Sequence, residues 1–185
     1  LARELSRRSM TAVTAGGAGP AINPAGEHLF LVQVGNTFSD PETGAVHTEG
    51  EDPSGLLEGT GRLFPNARTL RINDFPSREQ MEAACVATAG ADSVVALCRS
   101  RTKHYMGSSD LTRRMLSLLD GIAHRLSAVV VFGNAYAARE LPAVPRIILA
   151  YEGGDAQTAA LEVLAGVTQP QGSPPVRLNL TKAGT

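Results

Sequence analysis

Aromatic residues are scarce in this chain of 185 residues, where Phe, Trp and Tyr together make up 4% and Trp is absent. The 17 Lys and Arg residues are scattered among 18 Asp and Glu residues, so neither sign of charge forms a stripe. A nucleic-acid partner requires a basic surface, commonly with aromatic side chains on which bases stack, and an anionic membrane requires a basic face. We therefore predict that neither nucleic acid nor a membrane is a partner.

Cysteine is also rare, with only Cys85 and Cys98. They fall in a predicted helix and a predicted strand, where we expect two buried small hydrophobic side chains, and a disulfide between them is left open. Neither belongs to a CxxC pair or a Cys/His cluster, and the GxGxxG and GxxxxGK[ST] motifs are missing. We therefore predict no metal and no cofactor.

Long apolar runs are missing too, since no segment approaches the roughly 18 apolar residues of a membrane-spanning helix. The first residues lack the apolar core of a signal peptide, and any such peptide would lie upstream, so the compartment stays open with a slight preference for the cytoplasm. The chain begins with Leu and enters a helical pattern at once. We expect it to be part of a larger protein.

Five short apolar runs are present, and most are nearly continuous rather than alternating, which is typical of strands covered on both faces. They span residues 29–34, 69–72, 93–98, 128–132 and 147–150. Helical patterns lie at 55–64, 78–89, 111–125 and 156–165, with Ser77, Asp110 and Asp155 as predicted caps and Gly166 as a stop. The alternation predicts an α/β fold, a three-layer αβα sandwich on a mainly parallel sheet of five to six strands, flavodoxin-like.

The remaining segments complete the predicted organisation. Residues 1–13 are interpreted as a linker helix from a missing N-terminal domain, with Leu5 and Met10 on one side, and residues 14–185 as the sandwich. The acidic stretch 36–52 is predicted to be a mobile surface loop. Residues 176–180 alternate apolar and polar, which predicts an edge strand, parallel or antiparallel.

Ligands of open α/β sheets bind beyond the carboxyl ends of the strands, so the residues after each run are site candidates. A basic loop after the third run could bind an anionic or sugar ligand, or could simply be solvated. A glycine turn after the fourth could present N–H groups to an anion, or be only a turn. An acid after the fifth could transfer a proton, or be a polar loop residue. The candidate ligand-binding residues are Arg99, Lys103, His104, Asn134, Tyr136 and Glu152.

Recognisable nucleophile and metalloprotease motifs are missing, because neither GxSxG nor HExxH occurs. No paired carboxylates of glycosidase type are identified either. We therefore predict no catalytic residue in this chain.

The C-terminal third carries a family resemblance. Residues 146–154 (RIILAYEGG), 159–166 (AALEVLAG) and 169–176 (QPQGSPPV) resemble, with kept spacing, a passage in the C-terminal domain of family 3 glycoside hydrolases. Two further stretches resemble the β-N-acetylhexosaminidase branch of that family. They are the helical segment 1–13 and the turn VVFGNAY at 130–136, in which Ala135 stands where proline is usual.

The resemblance implies that the catalytic machinery lies elsewhere. In the family a (β/α)₈ barrel carries the nucleophile, and in the hexosaminidase branch it also carries a histidine acid/base. The chain would then be an accessory domain, inactive in isolation, whose partners are the missing N-terminal barrel and an amino-sugar glycoside at the interdomain face. The alternatives are a free-standing flavodoxin-like module that binds a small ligand, and a pure interaction or packing domain.

Overall fold

The computed structural model describes residues 2–13, 21–39, 43, 46–50, 52–100, 111–151, 154–174 and 178. The strands are β1 (Thr11–Ala12), β2 (His28–Gln33), β3 (Gly35–Ser39), β4 (Val46–Gly50), β5 (Arg68–Ile72), β6 (Ser93–Ser100), β7 (Leu126–Gly133) and β8 (Ile147–Leu149). The helices are α1 (Ala2–Ser9), α2 (Ser54–Leu63), α3 (Arg78–Thr88), α4 (Arg113–Gly121) and α5 (Gly154–Leu164). Short 3-10 helices cover Ala123–Arg125 and Ala135–Arg139. None of the helices in these ranges is long and apolar enough to cross a membrane.

The main sheet has the order β1-β8-β7-β6-β2-β5. All pairs among β2, β5, β6, β7 and β8 are parallel, which confirms the five predicted strands and the α/β class. The sixth strand, β1, runs antiparallel to β8, with Thr11 opposite Leu149 and Ala12 opposite Ile148. Two residues are too few to show a period, so this strand was not predicted.

Two apolar clusters cover the two faces of the sheet. Successive strand residues alternate between them: Val94 belongs to one cluster and Val95 to the other. The first cluster includes Ala84 of α3 and Met115 of α4, and the second includes Leu56 of α2. Helices therefore cover both faces, and the nearly continuous apolar strands follow from this burial.

Helices α2 and α5 pack closely on one face because α2 presents a glycine at the contact. A side chain added at Gly59 would bring its Cβ within 2.7 Å of Leu161 Cδ1. Leu161 is fully buried, so space for a larger residue is limited.

The predicted helix ends are partly correct. Ser77 caps α3 as predicted, and it forms a capping box with Gln80. Helix α4 begins later than predicted, because Thr112 accepts the bond from the Met115 N–H; the predicted cap at Asp110 is wrong. Asp155 lies inside the first turn of α5 rather than before it.

Three other expectations are wrong. The predicted loop 36–52 contains β3 and β4, an antiparallel hairpin paired from Gly35–Gly50 to Ser39–Val46. Backbone pairing holds such a ladder without an apolar pattern in the sequence.

Cys85 is exposed, whereas Cys98 is buried as predicted. The predicted linker helix 1–13 ends at Ser9, and Thr11–Ala12 belong to β1, so Leu5, 58% exposed, and the buried Met10 do not share one helix side. Of the predicted edge strand 176–180, only Leu178 lies within the described residues, packed against the core.

Candidate functional site

The carboxyl ends of the parallel strands meet at one edge of the sheet, here called the carboxyl edge. It contains the ends of β5, β2, β6, β7 and β8 and the residues that follow them. Of the predicted candidates, Arg99 lies at the end of β6, and Asn134 and Tyr136 follow β7, so the structure brings these three to the same edge. Lys103, His104 and Glu152 lie outside the described residues.

A glutamine joins the ends of β2 and β6. The parallel ladder between these strands ends at the pair Val32–Leu97. Beyond it, the Arg99 N–H donates to Gln33 Oε1 at 3.0 Å, and Gln33 Nε2 donates to the Arg99 carbonyl at 3.2 Å. These two bonds continue the hydrogen bonding between the strands beyond the backbone ladder. Gln33 is only 2% exposed, so its carboxamide is satisfied by protein groups rather than by water. The sequence gives no signal for this contact beyond a polar residue at the end of an apolar run.

The Arg99 side chain lies against the neighbouring strand. Its Cζ is 5.8 Å from the centre of the Phe132 ring, a cation–π distance, and Phe132 is buried. The backbone of Arg99 is thus fixed by Gln33 and its guanidinium is held near Phe132 of β7. This residue, predicted as a ligand contact, has a structural role that the sequence did not indicate.

Asn134 forms the turn after β7. Gly133 has a φ of 96°, a conformation that favours glycine. The Asn134 N–H donates to the Ser100 carbonyl at 3.1 Å, and its side chain accepts from the Tyr136 N–H at 3.0 Å. Asn134 is therefore the N-cap of the 3-10 helix, and the predicted anion-binding turn is first of all a capped turn.

Two exposed aromatic rings lie along the same edge, each covered on one face by an arginine. Tyr136 is 43% exposed, with Arg139 Cζ 4.8 Å from its ring centre. Phe75, which follows β5, is 50% exposed, with Arg114 Cζ at 4.9 Å. Exposed aromatic rings of this kind are common at binding surfaces. Phe75 was not singled out from the sequence.

Ser100 ends β6 with a buried hydroxyl. The residue is 1% exposed, and within the described part of the chain its Oγ has no hydrogen-bond partner. Such a group costs free energy when it is desolvated and unpaired.

Tyr151 follows β8 in an unusual backbone conformation. Its φ is 49°, the left-handed region that non-glycine residues rarely adopt, and its hydroxyl lies 3.4 Å from Thr11 Oγ1. Unusual backbone of this kind is concentrated at functional segments, and this one directly precedes the predicted candidate Glu152.

The opposite, amino edge is occupied by structural contacts. His28, 4% exposed, donates from Nε2 to the Asn23 carbonyl at 2.5 Å, and its Nδ1 lies 2.7 Å from Ser93 Oγ. Arg125 donates to the carbonyls of Thr88 and Ala91 at the end of α3, a favourable place for a cation.

Four described groups with shifted pKa values are not tuned for acid or nucleophilic catalysis. Three carboxyl groups have a pKa below the ordinary range, and in each case a hydrogen bond is the largest cause. The bond comes from Ser54 to Asp52 and from Ser77 to Glu79. For Glu162 it comes from Arg7. A general acid at neutral pH needs the opposite shift. Burial raises the pKa of the Cys98 thiol to about 12, which leaves no thiolate to act as a nucleophile. In the described ranges no three His, Cys, Asp or Glu side chains come together as a metal site would require.

Comparison with protein families and with curated proteins gave no match. Solved structures do match. A family 3 glycoside hydrolase, the β-N-acetylglucosaminidase of Paenibacillus sp. str. FPU-7, superposes with a TM-score of 0.71 and 20% identity over 97% of this chain and 32% of that chain. The beta-glucoside phosphorylase BglX gives 0.68 and 17% identity, over 97% of this chain and 31% of that one. A β-glucosidase from Listeria innocua in complex with glucose gives 0.63 and 12% identity, over 90% and 25%.

The chain thus spans between a quarter and a third of the length of these three structures. At these identities the likeness concerns the fold. The sandwich described above is the fold that these larger carbohydrate-active chains contain as one part of their length.

Proposed function

We propose that this chain is the accessory C-terminal domain of a glycoside hydrolase of the β-N-acetylhexosaminidase type. Its catalytic partner is a (β/α)₈ barrel that precedes it, and α1 is the connection between the two. The observation that carries the proposal is coverage: 97% of this chain matches 32% of a family 3 β-N-acetylglucosaminidase. The resemblance of residues 146–176 and 130–136 to the family points the same way.

The chemistry of the described carboxyl groups supports an accessory role. Hydrolysis of a glycosidic bond usually needs two carboxyl groups flanking it, one with a raised pKa. Asp52, Glu79 and Glu162 are shifted in the other direction by stabilising partners. We assign the nucleophile and the acid/base, a histidine in the branch that the sequence resembles, to the barrel.

The alternative, a free-standing flavodoxin-like ligand-binding module, has one observation in its favour. The order β5-β2-β6-β7-β8 is the flavodoxin order, in which a ligand binds at the switch point, here between β2 and β6. The contact of Gln33 with Arg99 ties these two strand ends together. We therefore prefer the accessory domain.

The carboxyl edge is the face that we assign to the barrel and to an amino-sugar glycoside bound between the two domains. Tyr136 and Phe75 are exposed there beside arginines, as contacts for a partner would be. The other described candidates, Arg99 and Asn134, stabilise the conformation of this edge through their hydrogen bonds.

The test is binding of this chain to a separately produced polypeptide that its gene encodes immediately upstream, measured by calorimetry. Tyr136→Ser should weaken binding by about tenfold, the scale of an aromatic contact in an interface. Val86→Ser is the control, because Val86 is 77% exposed on α3, away from that edge. Equal binding of both variants would reject the assigned face, and an upstream segment that is no barrel would reject the function.

A further inference from the structure

Helix α1 reaches the rest of the protein without an apolar face. None of its residues is buried, and Leu5, its one large apolar side chain, is 58% exposed. Most helices of globular proteins are held by an apolar stripe that packs on the core. Something else must therefore keep α1 on α5, the helix on which it lies.

The contact is a charge cluster around one carboxylate. Arg7 Nε donates to Glu162 Oε2 at 2.8 Å and Arg7 Nη2 to Oε1 at 2.9 Å, a two-point geometry. Arg3 Nη2 adds a third bond to Oε1 at 2.6 Å. The Glu162 side chain is 6% exposed, whereas the side chains of Arg7 and Arg3 are 33% and 56% exposed. The carboxylate is therefore shielded from water and salt better than in a surface ion pair, and the arginines are partly solvated.

The residues that follow α1 are held differently. Met10 is fully buried, and the Gly172 N–H donates to its carbonyl at 2.8 Å. Thr11 and Ala12 form β1 on the edge of the sheet, and the Val13 N–H donates to the Ile147 carbonyl at 3.0 Å. Backbone pairing and burial thus fix residues 10–13, whereas polar contacts hold the eight residues of α1.

We infer that Glu162 and its two arginines form an electrostatic joint that sets the direction in which the chain enters this domain. Release of the joint frees α1 and leaves β1 and the sheet in place. All the residues that form the joint belong to this chain, so the joint can be tested without a second domain. In the proposed two-domain enzyme it would set the orientation of the barrel, a consequence that rests on the proposed function.

The experiment is amide hydrogen exchange of this chain, comparing residues 2–9 with residues 93–100 of β6. Glu162→Gln keeps the shape of the side chain and removes its charge. We expect exchange in α1 to accelerate roughly tenfold or more, because the charge is lost and one acceptor oxygen becomes an amide NH₂ that cannot accept from arginine, while β6 is unchanged. The double variant Arg3→Gln with Arg7→Gln changes only α1 and should give the same result.

Arg8→Gln is the matched control. Arg8 pairs with Glu4 within α1 at 3.8 Å, and both side chains are exposed, so little should change. Unchanged exchange of α1 in the Glu162 and double variants would overturn the inference. So would equal acceleration of α1 and β6, since Glu162 would then support the whole fold. If Glu162→Gln does not fold, the double variant decides by the same readout.

Discussion

Gln33 and Arg99 exchange two side chain–backbone hydrogen bonds at the point where β2 and β6 cease to pair. Replacement of Gln33 by Leu introduces an apolar side chain of similar size and removes both of these bonds to the Arg99 N–H and carbonyl. We expect the free energy of unfolding to fall by about 1–3 kcal/mol, the cost of buried groups left unpaired. Urea denaturation measures it. Gln171→Leu, at an exposed glutamine, should be neutral, and equal stability of the two variants would contradict the bridging role.

Ser100 should behave in the opposite way. Its buried hydroxyl has no partner among the described residues, so Ser100→Ala removes an unpaired polar atom. We expect stability to stay the same or to rise by up to about 1 kcal/mol. Thermal unfolding of the variant checks this. A clear loss of stability would mean that the hydroxyl makes a bond that this structure does not show.

Alanine substitutions at Gly172 and Gly61 should have opposite effects on stability. A Cβ at Gly172 would lie 2.5 Å from the Ser9 carbonyl oxygen and 2.9 Å from its carbon, both backbone atoms, whereas a Cβ at Gly61 in α2 meets nothing within 4 Å. Gly172→Ala should therefore destabilise by about 1–3 kcal/mol through overpacking. Gly61→Ala should stabilise by up to about 1 kcal/mol through helix propensity. Chemical denaturation of both variants tests the pair, and a neutral Gly172→Ala would show that the tail does not pack tightly there.

Glu162 predicts a pH dependence with a definite sign. Hydrogen bonds from Arg7 and Arg3 outweigh burial and hold the pKa of Glu162 below its ordinary value of 4.5. A carboxyl group with a lowered pKa in the folded state contributes stability above its unfolded pKa and loses it as the pH falls through the folded value. Protection of α1 against amide exchange, corrected for the intrinsic pH dependence of exchange, should fall more steeply from neutral pH to below pH 4.5 in the native chain than in Glu162→Gln. Parallel curves would contradict the pairing.

The sheet could be predicted from the sequence because strands buried on both faces leave continuous apolar runs. The run 128–132, for example, lies within β7, where Ala128, Val129, Val130 and Val131 are almost completely buried. Burial on both faces leaves a pattern in consecutive residues, which can be recognised in the sequence. The hairpin Gly35–Ser39 with Val46–Gly50 leaves no such pattern, because its ladder depends on backbone pairing between polar segments. Cys85 was misplaced because α3 buries few of its residues.

The candidate site could be predicted less well. Arg99, Asn134 and Tyr136 are predicted candidates because they lie at or after the ends of predicted strands, and the topology brings them to one edge. Their contacts are tertiary: Arg99 with Gln33 and Phe132, and Asn134 with Ser100. Residues so far apart in the chain leave no trace in local patterns. Glu162 was missed for the same reason, since its partners Arg3 and Arg7 lie at the other end of the sequence.

The most direct test of the accessory-domain account is hydrolysis of an aryl β-N-acetylglucosaminide. The assay compares this chain alone with the same chain joined to the polypeptide that its gene encodes upstream. We predict no turnover above the blank for the chain alone and clear turnover for the joined protein, because the account places both the nucleophile and the acid/base in the barrel. Robust turnover by the pure chain, abolished by a single substitution within it, would contradict the account.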